Sequence, residues 1–198
     1  KDSLDFHGGA QAILEFNKGI IDGIVDLVPA VKLQLACYEL YGVEGMKAFC
    51  DTVRYAKQKG LIVIGDGKRN DIGSTAKAYS AAYDQAAYLG KTPLPGKEER
   101  AFETDMMTVN PYLGFDGVEP FIEDCRTWDK DIFVLVRTSN PSSVDFQDLV
   151  SGNQRIYEAV ADKVNDWGRD LTGDYGFSRV GAVVGATWPD QAVALRRR

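Results

Sequence analysis

Histidine is almost missing from this chain: His7 is the single copy among 198 residues. That scarcity removes His-based metal ligation and Ser-His or Cys-His nucleophilic chemistry from consideration. Cysteine is sparse as well. Cys37, Cys50 and Cys125 are odd in number and far apart, with no Cys-x-x-Cys pair, so they indicate neither a disulfide framework nor a zinc site and read as buried thiols. No stretch approaches the roughly 20 apolar residues of a membrane-spanning helix. Lys1-Asp2-Ser3-Leu4 does not open a signal peptide, and a cytoplasmic protein with no membrane partner is expected. Basic charge is outweighed, 23 Lys and Arg against 29 Asp and Glu, for a net charge of −6. This disfavours a nucleic-acid partner, which would need clustered Lys and Arg, and Arg196-Arg197-Arg198 is too short to reverse it. Gly-x-Gly-x-x-Gly is also missing after the first apolar run, so the dinucleotide-binding open sheet lacks its signature. Any catalysis must come from carboxylates and lysines.

What is present is the composition of a soluble globular domain, 44% hydrophobic and 26% charged, and a single domain over 1–198 is the default. Five apolar runs read as strands: Leu27 to Leu35, Leu61 to Gly65, Met107 to Asn110, Ile132 to Arg137 and Val180 to Gly185. Helical patterns lie between them. Ala12 to Ile24 carries Ile13, Phe16, Ile20 and Ile24 on one face; Gly45 to Lys59 carries Met46, Phe49, Val53 and Ala56. Ser74 to Leu89, Val118 to Trp128, Arg155 to Trp167 and Asp190 to Arg198 are the other helices. Continuous apolar strands followed by helices imply a parallel sheet. The missing dinucleotide signature favours the α/β fold of a (β/α)₈ TIM barrel over a doubly wound sheet. Five strands are too few to close such a barrel, so one strand before residue 1 and two after residue 198 are expected beyond this sequence. Residues 90–104, with Pro93, Pro95 and Gly96, read as a loop insertion.

The chemistry concentrates in Leu61-Ile62-Val63-Ile64-Gly65-Asp66-Gly67-Lys68-Arg69-Asn70-Asp71-Ile72-Gly73, an apolar strand running into alternating acids and bases. The C-terminal ends of parallel barrel strands are where active sites lie. If strand geometry continues, Asp66 and Lys68 project to one side, with Asp71 following on the turn into the next helix. A solvated charged turn is the plain alternative, which the glycines at 65, 67 and 73 also fit. Lys32 bears on the choice because it sits inside an apolar strand, where an ammonium needs an acid, and Asp66 is the candidate. A lysine snorkelling from a strand end is the alternative there. Neighbouring strands would gather Lys32, Asp66, Lys68 and Asp71 into one alternating, preorganised array.

Lys32 on one strand and Asp66-x-Lys68-x-x-Asp71-Ile72-Gly73-x-Thr75 on the next resemble the Lys and D-x-K-x-x-D-I-x-x-T elements of the orotidine 5′-monophosphate decarboxylases. Val109-Asn110-Pro111-Tyr112-Leu113-Gly114, Arg137-Thr138-Ser139-Asn140-Pro141-Ser142-Ser143 and Val183-Val184-Gly185-Ala186-Thr187 resemble, in order, segments of the longer bacterial (type 2) branch of that family. The resemblance implies a cofactor-free, metal-free lyase acting in pyrimidine biosynthesis, converting orotidine 5′-monophosphate to UMP. It implies that Lys68 protonates C6 of the pyrimidine and that Asp66 lies close to the substrate carboxylate. It implies a homodimer in which Asp71 and Thr75 complete the partner's site. Ser139 would hydrogen-bond the pyrimidine, Thr138 and Ile72 are further substrate-binding candidates, and so are Asn110 and Gln34 at strand ends. Gly67, Asn70 and Leu33 depart from the family pattern without replacing a charged member of the array. The family's first-strand Asp for the ribose and its phosphate-binding Gln and Arg have no counterpart in these residues.

Three rival readings remain. A magnesium-dependent 3-keto-L-gulonate 6-phosphate decarboxylase or hexulose-phosphate synthase shares D-x-K-x-x-D, but needs an acid where Lys32 stands. A Schiff-base aldolase would want a desolvated lysine rather than one held between carboxylates. A non-catalytic fragment would keep the charges only as an ion network.

Overall fold

A computed structural model describes residues 5–84 and 101–198. The chain runs α1 (Phe6–Ile24), β1 (Ala30–Gln34), α2 (Leu35–Glu39), α3 (Gly42–Gln58), β2 (Ile62–Arg69), α4 (Gly73–Asp84), β3 (Met106–Val109), α5 (Glu119–Trp128) and β4 (Asp131–Arg137). It continues through α6 (Val144–Gln147), β5 (Val150–Ser151), β6 (Gln154–Arg155), α7 (Ile156–Gly168), β7 (Val180–Val184) and α8 (Pro189–Arg196). β5 and β6 form a small antiparallel hairpin, while the other five strands make one sheet in the order β1-β2-β3-β4-β7. β1 is parallel to β2, and β4 to β7. All five expected strands are therefore present, alternating with helices.

The residues cluster into two compact units, Lys1–Gly67 with Ala78–Met107, and Lys68–Lys77 with Thr108–Arg198. In the first, α1 packs on α3. Asp5 starts α1 by accepting a 2.7 Å hydrogen bond from the Gly8 amide, satisfying one orphan donor of the first turn. Its buried face is Gly9, Ala10, Leu14 and Ile21. The face expected to be buried is not: Phe16 is 68% and Ile20 47% exposed. Small residues line the face that is buried instead: a Cβ at Gly9 would stand 2.5 Å from the Tyr41 ring, which would have to shift to admit it. α3 buries Phe49, Val53 and Ala56 as its pattern predicts, whereas Met46 is only half-buried.

An aromatic series continues the core from Tyr38 to Phe49, Phe102 and Tyr83, with centroids 5.3, 5.6 and 4.7 Å apart. Residues 85–100 of the expected α4 end and loop insertion lie outside the described residues. Its last residues, 101–104, are docked: Phe102 stacks on Tyr83 and the Thr104 hydroxyl donates to the Tyr83 carbonyl at 3.2 Å.

The second unit buries Phe121, Ile122 and Cys125 of α5, Ile132, Val134 and Val136 of β4, and Tyr157 and Val164 of α7. β4 and β7 pair from Ile132↔Val180 to Leu135↔Val183, then shift register before Arg137. Among the thiols only Cys125 is buried as expected; Cys37 is exposed and Cys50 half-buried, because each falls on the outer part of its helix.

Two strand limits moved by more than one residue. β1 starts at Ala30 rather than Leu27, because the Leu27 and Val28 amides both donate to the Ile24 carbonyl and Pro29 has no amide to give a ladder. β2 extends past Gly65 to Arg69, carrying the charged cluster into the strand itself.

Candidate active site

The structure brings Lys32 and Asp66 together. In the β1–β2 register Gln34 stands opposite Asp66, so Lys32, two residues back on the same face, reaches forward with its long stem to the carboxylate. The burial is the reverse of that expected from the apolar surroundings of Lys32. Its side chain is 52% exposed, whereas that of Asp66 is 6% exposed. Water therefore solvates much of the ammonium, and the carboxylate bears the greater desolvation, which the ion pair offsets.

β2 continues to Lys68 without keeping ideal strand alternation. Lys68 has φ 50° and Asp71 φ 99°; the only other non-glycine residue with positive φ among those described is Asp129, which terminates α5. Left-handed backbone costs about 1–3 kcal/mol for a side-chain-bearing residue and persists only where its surroundings hold it. Those surroundings are visible. The Lys68 amide donates to the buried Thr108 hydroxyl at 2.9 Å, and the Asn110 amide donates to the Arg69 carbonyl at 2.9 Å. The Asp71 carboxylate accepts from the Ile72 amide at 2.8 Å, while Gly117 lies so close that a Cβ there would be 2.9 Å from the Asp71 carbonyl oxygen. The expectation that Asp66 and Lys68 share a side rested on strand geometry continuing, and at Lys68 the backbone turns to positive φ. Thr108 is the residue sequence reasoning passed over, and its signal was a lone polar residue within Met106-Met107-Thr108-Val109.

The remaining candidates fall into two groups. Ile72 and Thr75 are exposed around the start of α4, in the same unit as Asp71. Asn110 is half-buried, and its side chain accepts from the Tyr112 amide at 3.0 Å, closing an Asx turn after β3. Gln34 is half-buried at the β1–α2 junction. Beyond β4, Ser139 is exposed, whereas the Thr138 hydroxyl donates to Asn140 at 2.6 Å and accepts from Gln147 at 2.7 Å. Behind them lies Arg137, 1% exposed, paired with Asp148 at 3.1 Å and stacked 4.1 Å above the Trp188 ring.

The chain is similar to known proteins in sequence and in fold. The chain is 50% identical to an orotidine 5′-phosphate decarboxylase of Caldicellulosiruptor bescii over 99% of its length and 63% of that protein's. It is 45% identical to one from Rhodopirellula baltica, covering 61% of it. The chain therefore spans about three fifths of the length of the curated relatives it matches. Among solved structures, the OMP decarboxylase of Leishmania donovani superposes with TM-score 0.78 at 32% identity, over 96% of this chain and 65% of that one. The UMP synthase of the same organism superposes with TM-score 0.75 at 33% identity, over 96% and 37%. The parallel sheet with its intervening helices is thus the major part of a (β/α)₈ TIM barrel. A family model described as Orotidine 5'-phosphate decarboxylase / HUMPS family matches residues 3–197, and with the strained Asp66–Asp71 segment lying inside that match the chain belongs to this family.

Proposed function

We propose that the full-length protein decarboxylates orotidine 5′-monophosphate to UMP in pyrimidine biosynthesis, with no metal or organic cofactor. The observation that carries this reading is the backbone of the motif: both Lys68 and Asp71 are held at positive φ, the kind of strain a protein keeps where side chains must be aimed. In this reading, the bond from C6 to the carboxylate breaks, carbon dioxide leaves, and the electron pair remaining on C6 takes a proton from the Lys68 ammonium. Solvent then reprotonates the lysine. Asp66 lies by the substrate carboxylate and Lys32 fixes Asp66. A preorganised ammonium beside the developing carbanion supplies the larger share of the acceleration, because charge stabilisation in a dry site is usually the largest single contribution. Like-charge repulsion at Asp66 adds to it. Ser139, Asn110 and Gln34 are assigned to substrate recognition, and binding of the distant phosphate contributes energy used in the transition state.

The Lys32–Asp66 pair also favours the metal-free reading over the magnesium-dependent relatives, since a divalent cation at Asp66 would have to displace an ammonium already on that carboxylate. The functional unit is proposed to be a homodimer of single barrel domains, located in the cytoplasm, with Asp71 and Thr75 acting in the partner's site. Support comes from the surface around Asp71, where Ile72, Tyr112, Leu113 and Phe115 are 54, 80, 47 and 44% exposed, an apolar group suited to burial against a second copy.

The test is decarboxylation of orotidine 5′-monophosphate by the full-length protein with a chelator present, comparing wild type with Lys68→Ala. Wild type is expected to stay active, and Lys68→Ala to lose at least about three orders of magnitude in kcat. Activity abolished by the chelator would overturn the metal-free mechanism; activity retained in Lys68→Ala would overturn the proton-donor assignment.

A further inference from the structure

We propose that Gln147 and Trp188 are positioning residues that aim Ser139 at the pyrimidine, and that Thr138 serves this framework instead of touching the substrate. The inference rests on the assignment of Ser139 to substrate recognition. Every polar group of Thr138 is committed to the protein. Its amide donates to Gln147 Oε1 at 2.9 Å, and its carbonyl accepts from the Trp188 indole Nε1 at 2.8 Å. Its hydroxyl donates to Asn140 and accepts from Gln147. A hydroxyl with both roles used has little left to offer a ligand.

The two clamping side chains are themselves anchored by Arg137. Its guanidinium lies 4.1 Å from the Trp188 ring centroid and 5.2 Å from that of Tyr157, pairs with Asp148, and donates to Gln147 Oε1 at 3.4 Å. A 1% exposed guanidinium lying over two rings and paired with a carboxylate is held where water cannot substitute. The strand ends close the arrangement. Gly185 donates its amide to the Arg137 carbonyl at 2.7 Å, accepts from the Trp188 amide at 2.9 Å, and passes so near Ser139 that a Cβ would meet the Ser139 amide nitrogen at 2.9 Å. The residue next to this fixed Thr138, Ser139, is exposed, and no hydrogen bond to its hydroxyl is found among the described residues. The framework thus holds the backbone of 137–139 on three sides and presents one uncommitted hydroxyl.

Trp188→Phe removes the indole donor while keeping an aromatic ring over Arg137, and Gln147→Ala removes the other clamp. Both are measured for kcat and KM with orotidine 5′-monophosphate, in the wild-type and in the Ser139→Ala backgrounds, with thermal unfolding recorded for each. Loss of one hydrogen bond to a positioning group is expected to lower kcat/KM by about 3–10-fold in the wild-type background. In the Ser139→Ala background the same substitutions should cost less than about twofold, because residues acting through one another are not additive. Gln147→Glu, which still accepts from the Thr138 amide, should recover most of the Gln147→Ala loss. Equal losses in both backgrounds, or no loss in either, would overturn the inference. A wild-type protein that fails to decarboxylate would instead overturn the functional reading on which it rests.

Discussion

Asp66 and Lys32 divide an ion pair unequally between protein and water, with side chains 6% and 52% exposed. Removing the ammonium therefore leaves a buried carboxylate short of its counter-charge. Lys32→Met is expected to destabilise the protein by about 1–3 kcal/mol, less than the ~3–5 kcal/mol of a fully buried pair because half of Lys32 is already in water. Chemical denaturation would measure it, and an unchanged midpoint would show that the pair contributes nothing to stability. At Lys68 the backbone matters as much as the ammonium. Thr108→Val deletes the hydroxyl that receives the Lys68 amide, and kcat is predicted to fall by about tenfold while KM changes little, since aim rather than binding is lost. A matching rise in KM would point to a general loosening of the site.

Among the elements, α1 and α3 show how close approach and charge work together. Gly45 at the start of α3 lies so near the Tyr38 carbonyl that an added Cβ would sit 1.9 Å from its oxygen. Backbone must move to admit any side chain, and Gly45→Ala is expected to cost about 3 kcal/mol or more, read as a lowered Tm. A second tie between these helices is electrostatic. The Lys59 ammonium and then the Tyr55 hydroxyl hold the Asp22 carboxyl below the usual carboxylate range, with contacts of 2.6 and 2.7 Å. A depressed carboxylate adds stability that is complete above its unfolded value near ~3.9 and lost as pH falls through the lower folded value. Tm should consequently drop less steeply in Asp22→Asn than in wild type below about pH 4. Parallel profiles would exclude Asp22 as a source of acid sensitivity.

For the whole molecule, the sharing of sites between two copies is the consequential proposal. Lys68→Ala and Asp71→Ala subunits are each expected to be inactive alone. Mixed, they would form heterodimers in which one site carries both defects and the other neither, restoring up to about a quarter of wild-type activity after random exchange. No recovery, in a mixture shown to exchange subunits, would place Lys68 and Asp71 in one chain's own site. An apolar surface with Tyr112 and Leu113 exposed beside a charged motif fits the shared arrangement.

Sequence alone determined the alternation of strands and helices, the parallel sheet and the charged segment from Asp66 to Asp71, because apolar periodicity and charge placement are local properties that residues carry with them. It also pointed to the pairing of Lys32 with Asp66, since an ammonium within an apolar strand must find an acid. Tertiary structure alone decided which face of α1 is buried, because that depends on how α1 packs on α3. It alone revealed that Asp66 rather than Lys32 is the buried partner, that Lys68 and Asp71 are at positive φ, that the Lys68 amide donates to Thr108, and that Gln147 and Trp188 both bond Thr138. Burial and hydrogen bonding between residues separated by tens of positions depend on how strands and helices stack, and no local pattern records that.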